Sequence, residues 1–139
     1  MARLPWQDAE EEFDSYWTKK GKAAHLFVFK DAATLRAMNK RATAVGTQPS
    51  DRLVTFEGVT FFAEVKSTKE PVSFPFGIIK ASQHGYAQMT TAAGGHYFVF
   101  VKSLVLNRWF KIPYSAIAAA PGSSIKWTDL ETMSWNIST

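Results

Sequence analysis

Residues 49–66 read PSDRLVTFEGVTFFAEVK. Two runs rich in β-branched and aromatic residues, 52–56 and 60–66, flank Glu57-Gly58. That pattern predicts two strands joined by a tight hairpin turn. Side chains two apart on a strand point to one face, so Glu64 and Lys66 project together. A hairpin over 51–66 also brings the start of its first strand to the end of its second, where Asp51 can meet Glu64. A charged pair closing an otherwise apolar strand is costly to bury without partners. Two carboxylates at one place repel each other unless a cation sits between them. An oxygen-lined site of that kind suits Mg²⁺, which keeps several waters and also binds phosphate oxygens. Such a metal polarises a phosphodiester and lowers the pKa of bound water. Lys66 would hold that water or stabilise charge on the phosphate. The other reading of Glu64 and Lys66 is a surface ion pair at a strand end.

Outward from the hairpin, Pro5 followed by acids in the first turn and by Lys19, Lys20 and Gly21 marks a first helix. Glu10, Phe13 and Trp17 share one face of it. Residues 25–29 (HLFVF) read as a strand, 30–39 as a short helix and 40–50 as a loop. The Pro-broken stretch 67–76 reads as a loop. Residues 77–95 are helical at their centre and end at Gly94-Gly95. Two more strands, 96–103 and 107–113, form a second hairpin, Pro113 opens a short helix, and 124–135 is weakly patterned. This order predicts one domain over 1–139, of mixed α/β (α+β) class, with helices packed on a central sheet.

Composition narrows the chemistry. The 139 residues contain no Cys, which excludes a disulfide framework, a thiolate nucleophile and Cys-ligated metal centres. The three His (His25, His84, His96) have no zinc-hydrolase spacing. No apolar run reaches a membrane span and the N-terminus has no secretory layout, so the expectation is a cytoplasmic protein without a membrane partner. Net charge is +4, unevenly spread: residues 1–18 carry one base and five acids, residues 19–41 seven bases and one acid. A concentrated basic segment is the footprint of a polyanion site, or else a solvated face. Lys30, Arg36, Lys40 and Arg41 are its candidate DNA contacts. Arg52 either contacts DNA or pairs with an acid. His84 reads as a packed helix histidine. Trp6 and Trp109 read as core aromatics, with base stacking as their alternative.

PSD, thirteen residues from Asp51 to the EVK of 64–66, then SFPF and a helix containing Gln83, resembles the PD-(D/E)xK nuclease superfamily. The layout is most similar to Holliday junction resolvases of the RecU type and their archaeal and phage relatives. The resemblance runs from about Glu10 to about Pro113. It implies a restriction-endonuclease-like αβββαβ core and a Mg²⁺-dependent DNA endonuclease (Mn²⁺ substituting). By the resemblance, Asp51, Glu64 and the backbone carbonyl of Val65 would hold the metal. Lys66 would be the catalytic lysine, Gln83 would orient water or lysine or contact the scissile phosphate, and Glu10 would be the helix glutamate, with Glu11 and Glu12 as fallbacks. Two departures stand out: the segment 30–50 is shorter than the junction-gripping insertion of RecU-type enzymes, and Arg52 follows the Asp. A homodimer is expected, because two sites related by a two-fold match a four-way junction. The source implied is bacterial or phage. The alternatives are a catalytically silent nucleic-acid-binding module on the same fold and a nicking or repair nuclease without junction preference.

Overall fold

The structure, a computed structural model, describes residues 3–29 and 48–138. Helix α1 (Pro5–Thr18) leads to strand β1 (Ala24–Val28), then to the hairpin β2 (Arg52–Phe56) and β3 (Val59–Thr68). A short strand β4 (Ser73–Pro75) precedes helix α2 (Ala81–Ala92). Strands β5 (Tyr97–Ser103) and β6 (Arg108–Pro113), helix α3 (Tyr114–Ala119) and strands β7 (Ser124–Lys126) and β8 (Ser134–Trp135) complete it. The fold is mixed α+β, a central mixed sheet flanked by helices. Its order is β1-β2-β3-β5-β6-β8, with β3 and β5 parallel and every other pair antiparallel. The parallel pair needs a crossover, which α2 supplies.

Each face of the sheet is covered by its own apolar layer. On one face Ala9, Phe13 and Trp17 of α1 pack on Val54, Phe61, Ala63, Val65, Phe100 and Trp109. On the other, Ala87 of α2 and Ile117 of α3 close over Tyr97, Val99, Val101, Phe110 and Ile112. The alternation along β3 follows from this arrangement. Phe61, Ala63 and Val65 belong to the α1 layer, which turns Phe62 and Glu64 to the opposite side. Among the described residues no helix is long and apolar enough to cross a membrane.

The β2–β3 turn sets the register on which the site depends. Glu57 and Gly58 both have positive φ, 52° and 80°. That is the requirement of a two-residue turn whose twist matches the strands it joins. It leaves Phe56 opposite Val59 and carries the pairing back to Arg52 opposite Ala63.

Three expectations change. Strand β3 does not stop at Lys66 but runs on to Thr68, alongside Ser103 of β5. The stretch 67–76 is not all loop, because β4 within it pairs with β7. The C-terminal stretch is not featureless: it supplies β7, a 3₁₀ segment (Trp127–Met133) and β8, which closes the sheet edge on β6. The short helix expected over 30–39, and most of the following loop, lie outside the described residues.

Candidate active site

One step beyond the last β2–β3 pair, Asp51 stands opposite Glu64. Here side chains replace the backbone ladder. The Asp51 N–H donates to Glu64 Oε1 at 3.0 Å, and the Val65 N–H donates to Asp51 Oδ2 at 3.1 Å. Each carboxylate is thus gripped by the backbone of the other strand. Residues 49–52 are themselves pinned from three sides. The buried Ser50 hydroxyl donates to the Arg52 carbonyl at 2.7 Å, the Tyr97 hydroxyl to the Pro49 carbonyl at 2.6 Å, and the Phe29 N–H to the Asp51 carbonyl at 3.0 Å.

Glu64 is fully buried, 0% exposed. Lys66 Nζ lies 3.2 Å from Glu64 Oε2, an ion pair rather than a directed hydrogen bond, so Oε2 has no hydrogen-bond partner. Burial, and then the neighbouring Asp51 carboxylate, push the Glu64 carboxyl up to about 8; Lys66 opposes them only in part. The Tyr97 phenol is raised above its ordinary range by burial and by the same two carboxylates. It therefore stays protonated and keeps donating to Pro49.

Asp51, Val65 and Lys66 open into a pocket of about 250 Å³, whose other walls are Ser67 and, from α1, Trp6, Ala9 and Glu10. The helix glutamate facing the hairpin is therefore Glu10. Glu11 is exposed and pairs with Arg3 at 2.6 Å. Glu12 turns away, taking Lys102 Nζ at 2.6 Å and the Trp109 indole N–H at 2.9 Å. Arg52 is the acid-paired alternative, with its guanidinium turned inward. Its Nη1 donates to Glu10 at 2.9 Å, and its Nε and Nη2 fork onto Asp14 at 2.8 and 3.0 Å.

Gln83 is not among the pocket-lining residues. It is buried, and its side-chain oxygen accepts the Lys80 N–H at 3.3 Å at the start of α2. His84 is packed, between the Tyr114 hydroxyl at 2.7 Å and the Phe76 carbonyl at 3.1 Å. A carbonyl can only accept, so His84 Nε2 carries a proton and donates it to Phe76. Lys30, Arg36, Lys40 and Arg41 lie outside the described residues. Among the described residues no group of three or more acidic or histidine side chains is arranged to hold a metal. The acids that meet at the hairpin are Asp51 and Glu64, with the Val65 N–H bound to Asp51.

Sequence reasoning missed Tyr97, Ser50 and Asp14. Tyr97 and Asp14 reach the site across 48 and 38 residues of chain, and Ser50 acts on a backbone carbonyl, so none of the three leaves a periodic signal. Trp109 is the core aromatic that the sequence reading favours, whereas Trp6 is not in the core but exposed on the first turn of α1.

No protein-family model and no curated protein matches the sequence. The fold is similar to that of a solved structure, Hjc, a Holliday junction resolvase from the archaeal hyperthermophile Archaeoglobus fulgidus. The likeness has a TM-score of 0.62 over 94% of this chain and 95% of that one, at 14% identity. The chain has the fold of a Holliday junction resolvase. At that identity the likeness is one of architecture, and the chemistry rests on the residues of the hairpin.

Proposed function

We propose that this chain is a metal-dependent DNA endonuclease, in its finer form a Holliday junction resolvase of the RecU kind acting as a homodimer in the cytoplasm of a bacterial or phage-infected cell. The observation that carries the reading is the interlocked Asp51–Glu64 pair, with Lys66 and Glu10 at the same pocket, on a resolvase-like fold. A pure binding module gains nothing from two carboxyl groups locked together beside a pocket meant for phosphate.

The residues fit a hard divalent cation. Two carboxylates, Asp51 and Glu64, stand side by side, Lys66 pairs with Glu64 alone, and a buried carboxylate oxygen, Glu64 Oε2, has no hydrogen bond. Asp51, Glu64 and the Val65 carbonyl would hold Mg²⁺ (or Mn²⁺), with water completing the shell because the protein offers so few ligands. Bound there, the cation would supply polarisation of a phosphodiester and a more acidic water. The chain's own part is narrower. Lys66, with its side chain 21% exposed, presents an ammonium at the pocket to steer a phosphate oxygen and balance charge. Arg52 keeps Glu10 turned to the pocket wall. Gln83 acts on this reading through the start of α2 rather than from the pocket itself. Lys30, Arg36, Lys40 and Arg41 supply further phosphate contacts on this reading.

Incubation with a four-way junction, a flap and a linear duplex in Mg²⁺, read on a denaturing gel, tests the proposal. Cleavage is expected with the wild type, preferentially at the junction, and should disappear in Asp51→Asn, Glu64→Gln and Lys66→Ala while DNA binding persists. Wild-type cleavage by Lys66→Ala would overturn the assignment. Binding to DNA with no cleavage of any substrate would favour the silent module.

A further inference from the structure

Trp6 is 52% exposed at the wall of the pocket that holds Asp51 and Lys66. Among the described residues no aromatic ring or cation is paired with it, whereas Trp17 and Trp135 sit in a shared ring cluster and Trp127 stacks on Phe74 and Phe110. It stands on the first turn of α1, one turn before Ala9 and two before Phe13, both buried. An indole left in water where its helix neighbours are buried is an apolar surface without a partner. Its place beside the reacting groups says what covers it. A phosphate entering this pocket brings its own nucleotide, and the apolar part of a nucleotide is the face of its base.

We propose that Trp6 is a stacking platform for a nucleobase adjoining the scissile phosphate; the proposal rests on the nuclease reading. In a continuous duplex both faces of every base are already stacked, so only an unpaired or unstacked nucleotide can meet the indole. Trp6 therefore selects DNA whose stacking is interrupted, such as a branch point or a single strand. Base–aromatic stacking is worth about 1–3 kcal/mol per base and tolerates any sequence. The contact discriminates DNA shape rather than base identity.

The chain reports on this contact itself. Trp17, Trp109 and Trp127 are each 3% exposed and Trp135 is half-buried, so acrylamide quenching reads Trp6 first. Binding is measured in chelator, without cleavage, to oligothymidylate, to a four-way junction and to a duplex of matched length. The single strand and the junction should change the fluorescence and shield it from acrylamide; the duplex should not. In Trp6→Leu that response should vanish, and Kd for the first two should rise about tenfold with the duplex unaffected. Trp6→Phe, which keeps a ring, should recover most of the affinity. Equal affinities and equal quenching in wild type and Trp6→Leu would overturn the proposal, as would a loss that falls equally on the duplex. Cleavage in Mg²⁺ is scored separately. A wild type that shows the stacking response and cuts nothing overturns the nuclease reading, and with it the scissile phosphate, leaving Trp6 a base-stacking residue of a binding module; a wild type that cuts with Trp6 silent overturns the Trp6 proposal alone.

Discussion

Arg52 and Glu10 meet at 2.9 Å, joining the residue next to Asp51 to the helix that forms the opposite wall of the pocket. The guanidinium is only 7% exposed and also grips Asp14 in a two-pronged contact. Three negative groups, Glu10, Asp14 and Asp51, therefore crowd one positive one. Arg52 docks α1 on β2 and limits repulsion between Glu10 and Asp14, as Lys66 does at Glu64.

Removing that cation should be expensive. Arg52→Leu leaves two part-buried acids uncompensated, and breaking such a pair typically costs about 3–5 kcal/mol when fully buried. Because Glu10 and Asp14 keep partial access to water (29% and 31%), about 2–3 kcal/mol is the expectation. It is read as a lower denaturant midpoint at unchanged slope. Arg52→Lys should recover only part, since an ammonium cannot fork onto Asp14 and reach Glu10 together. Full stability in Arg52→Lys would show that charge alone, not the fork, matters.

Glu64 links stability to pH and to metal. Its carboxyl is raised to about 8 from an ordinary 4.5. Between those values the folded chain holds a proton that the unfolded chain has released, so stability falls as pH rises through that window and levels off above it. The slope from one such group cannot exceed about 1.4 kcal/mol per pH unit. In metal-free protein Glu64→Gln should flatten the profile from pH 5 to 8 and be the more stable variant at pH 8. Mg²⁺ should stabilise the wild type at that pH, by about 2.7 kcal/mol at a hundred times its Kd. Asp51→Asn should abolish the response. An unchanged pH slope in Glu64→Gln would place the titration elsewhere.

The basic segment makes a separate prediction, about salt. Replacing Lys30, Arg36, Lys40 and Arg41 by Gln should weaken DNA binding and lower the slope of log K against log salt by about 0.9 for each phosphate no longer neutralised. Cleavage of saturated DNA should be little altered, because none of the four is a residue of the hairpin site. An unchanged slope would mark the segment as a solvated face.

What was legible in the sequence was local. The Asp51–Glu64 encounter follows from one two-residue turn and strand pairing, both within eighteen residues, and the turn at Glu57-Gly58 forms as its residues dictate. The β4–β7 pair is built from two strands of three residues whose partners lie 51 positions apart at Phe74 and Ile125, with Pro75 unable to donate to a ladder. No periodicity can announce such a pair. Arg52 is similar: its position beside Asp51 was plain, but its partners are 38 and 42 residues away and side chain to side chain. For Trp6 and Trp109 the sequence left core packing and base stacking both open; their burial, 52% and 3% exposed, separates them.

The run Glu10-Glu11-Glu12 gives the most discriminating test, because three identical side chains have three different surroundings. Glu11 pairs with Arg3 where both side chains are more than half exposed, a kind of contact worth about 0–1 kcal/mol. Glu11→Gln should leave cleavage and stability alike unchanged. Glu12 accepts from Lys102 and from the Trp109 indole, tying α1 to β5 and β6 away from the pocket. Gln keeps an acceptor for Trp109 but loses the charge that Lys102 meets, so Glu12→Gln should cost about 1 kcal/mol of stability and no cleavage. Glu10 lies on the pocket wall with Asp51 and Lys66, held there by Arg52. Glu10→Gln keeps the shape of the side chain and removes a negative charge from beside the proposed cation. It should lower cleavage at least tenfold, about 1.4 kcal/mol of barrier. Its effect on the denaturant midpoint should be smaller than that of Arg52→Leu. The three variants are compared on one junction substrate, with activity and midpoint measured for each. A loss of cleavage in Glu12→Gln with Glu10→Gln fully active would mean that the helix presents a different glutamate to the substrate. Full activity in all three would remove α1 from the chemistry and leave the hairpin to act alone.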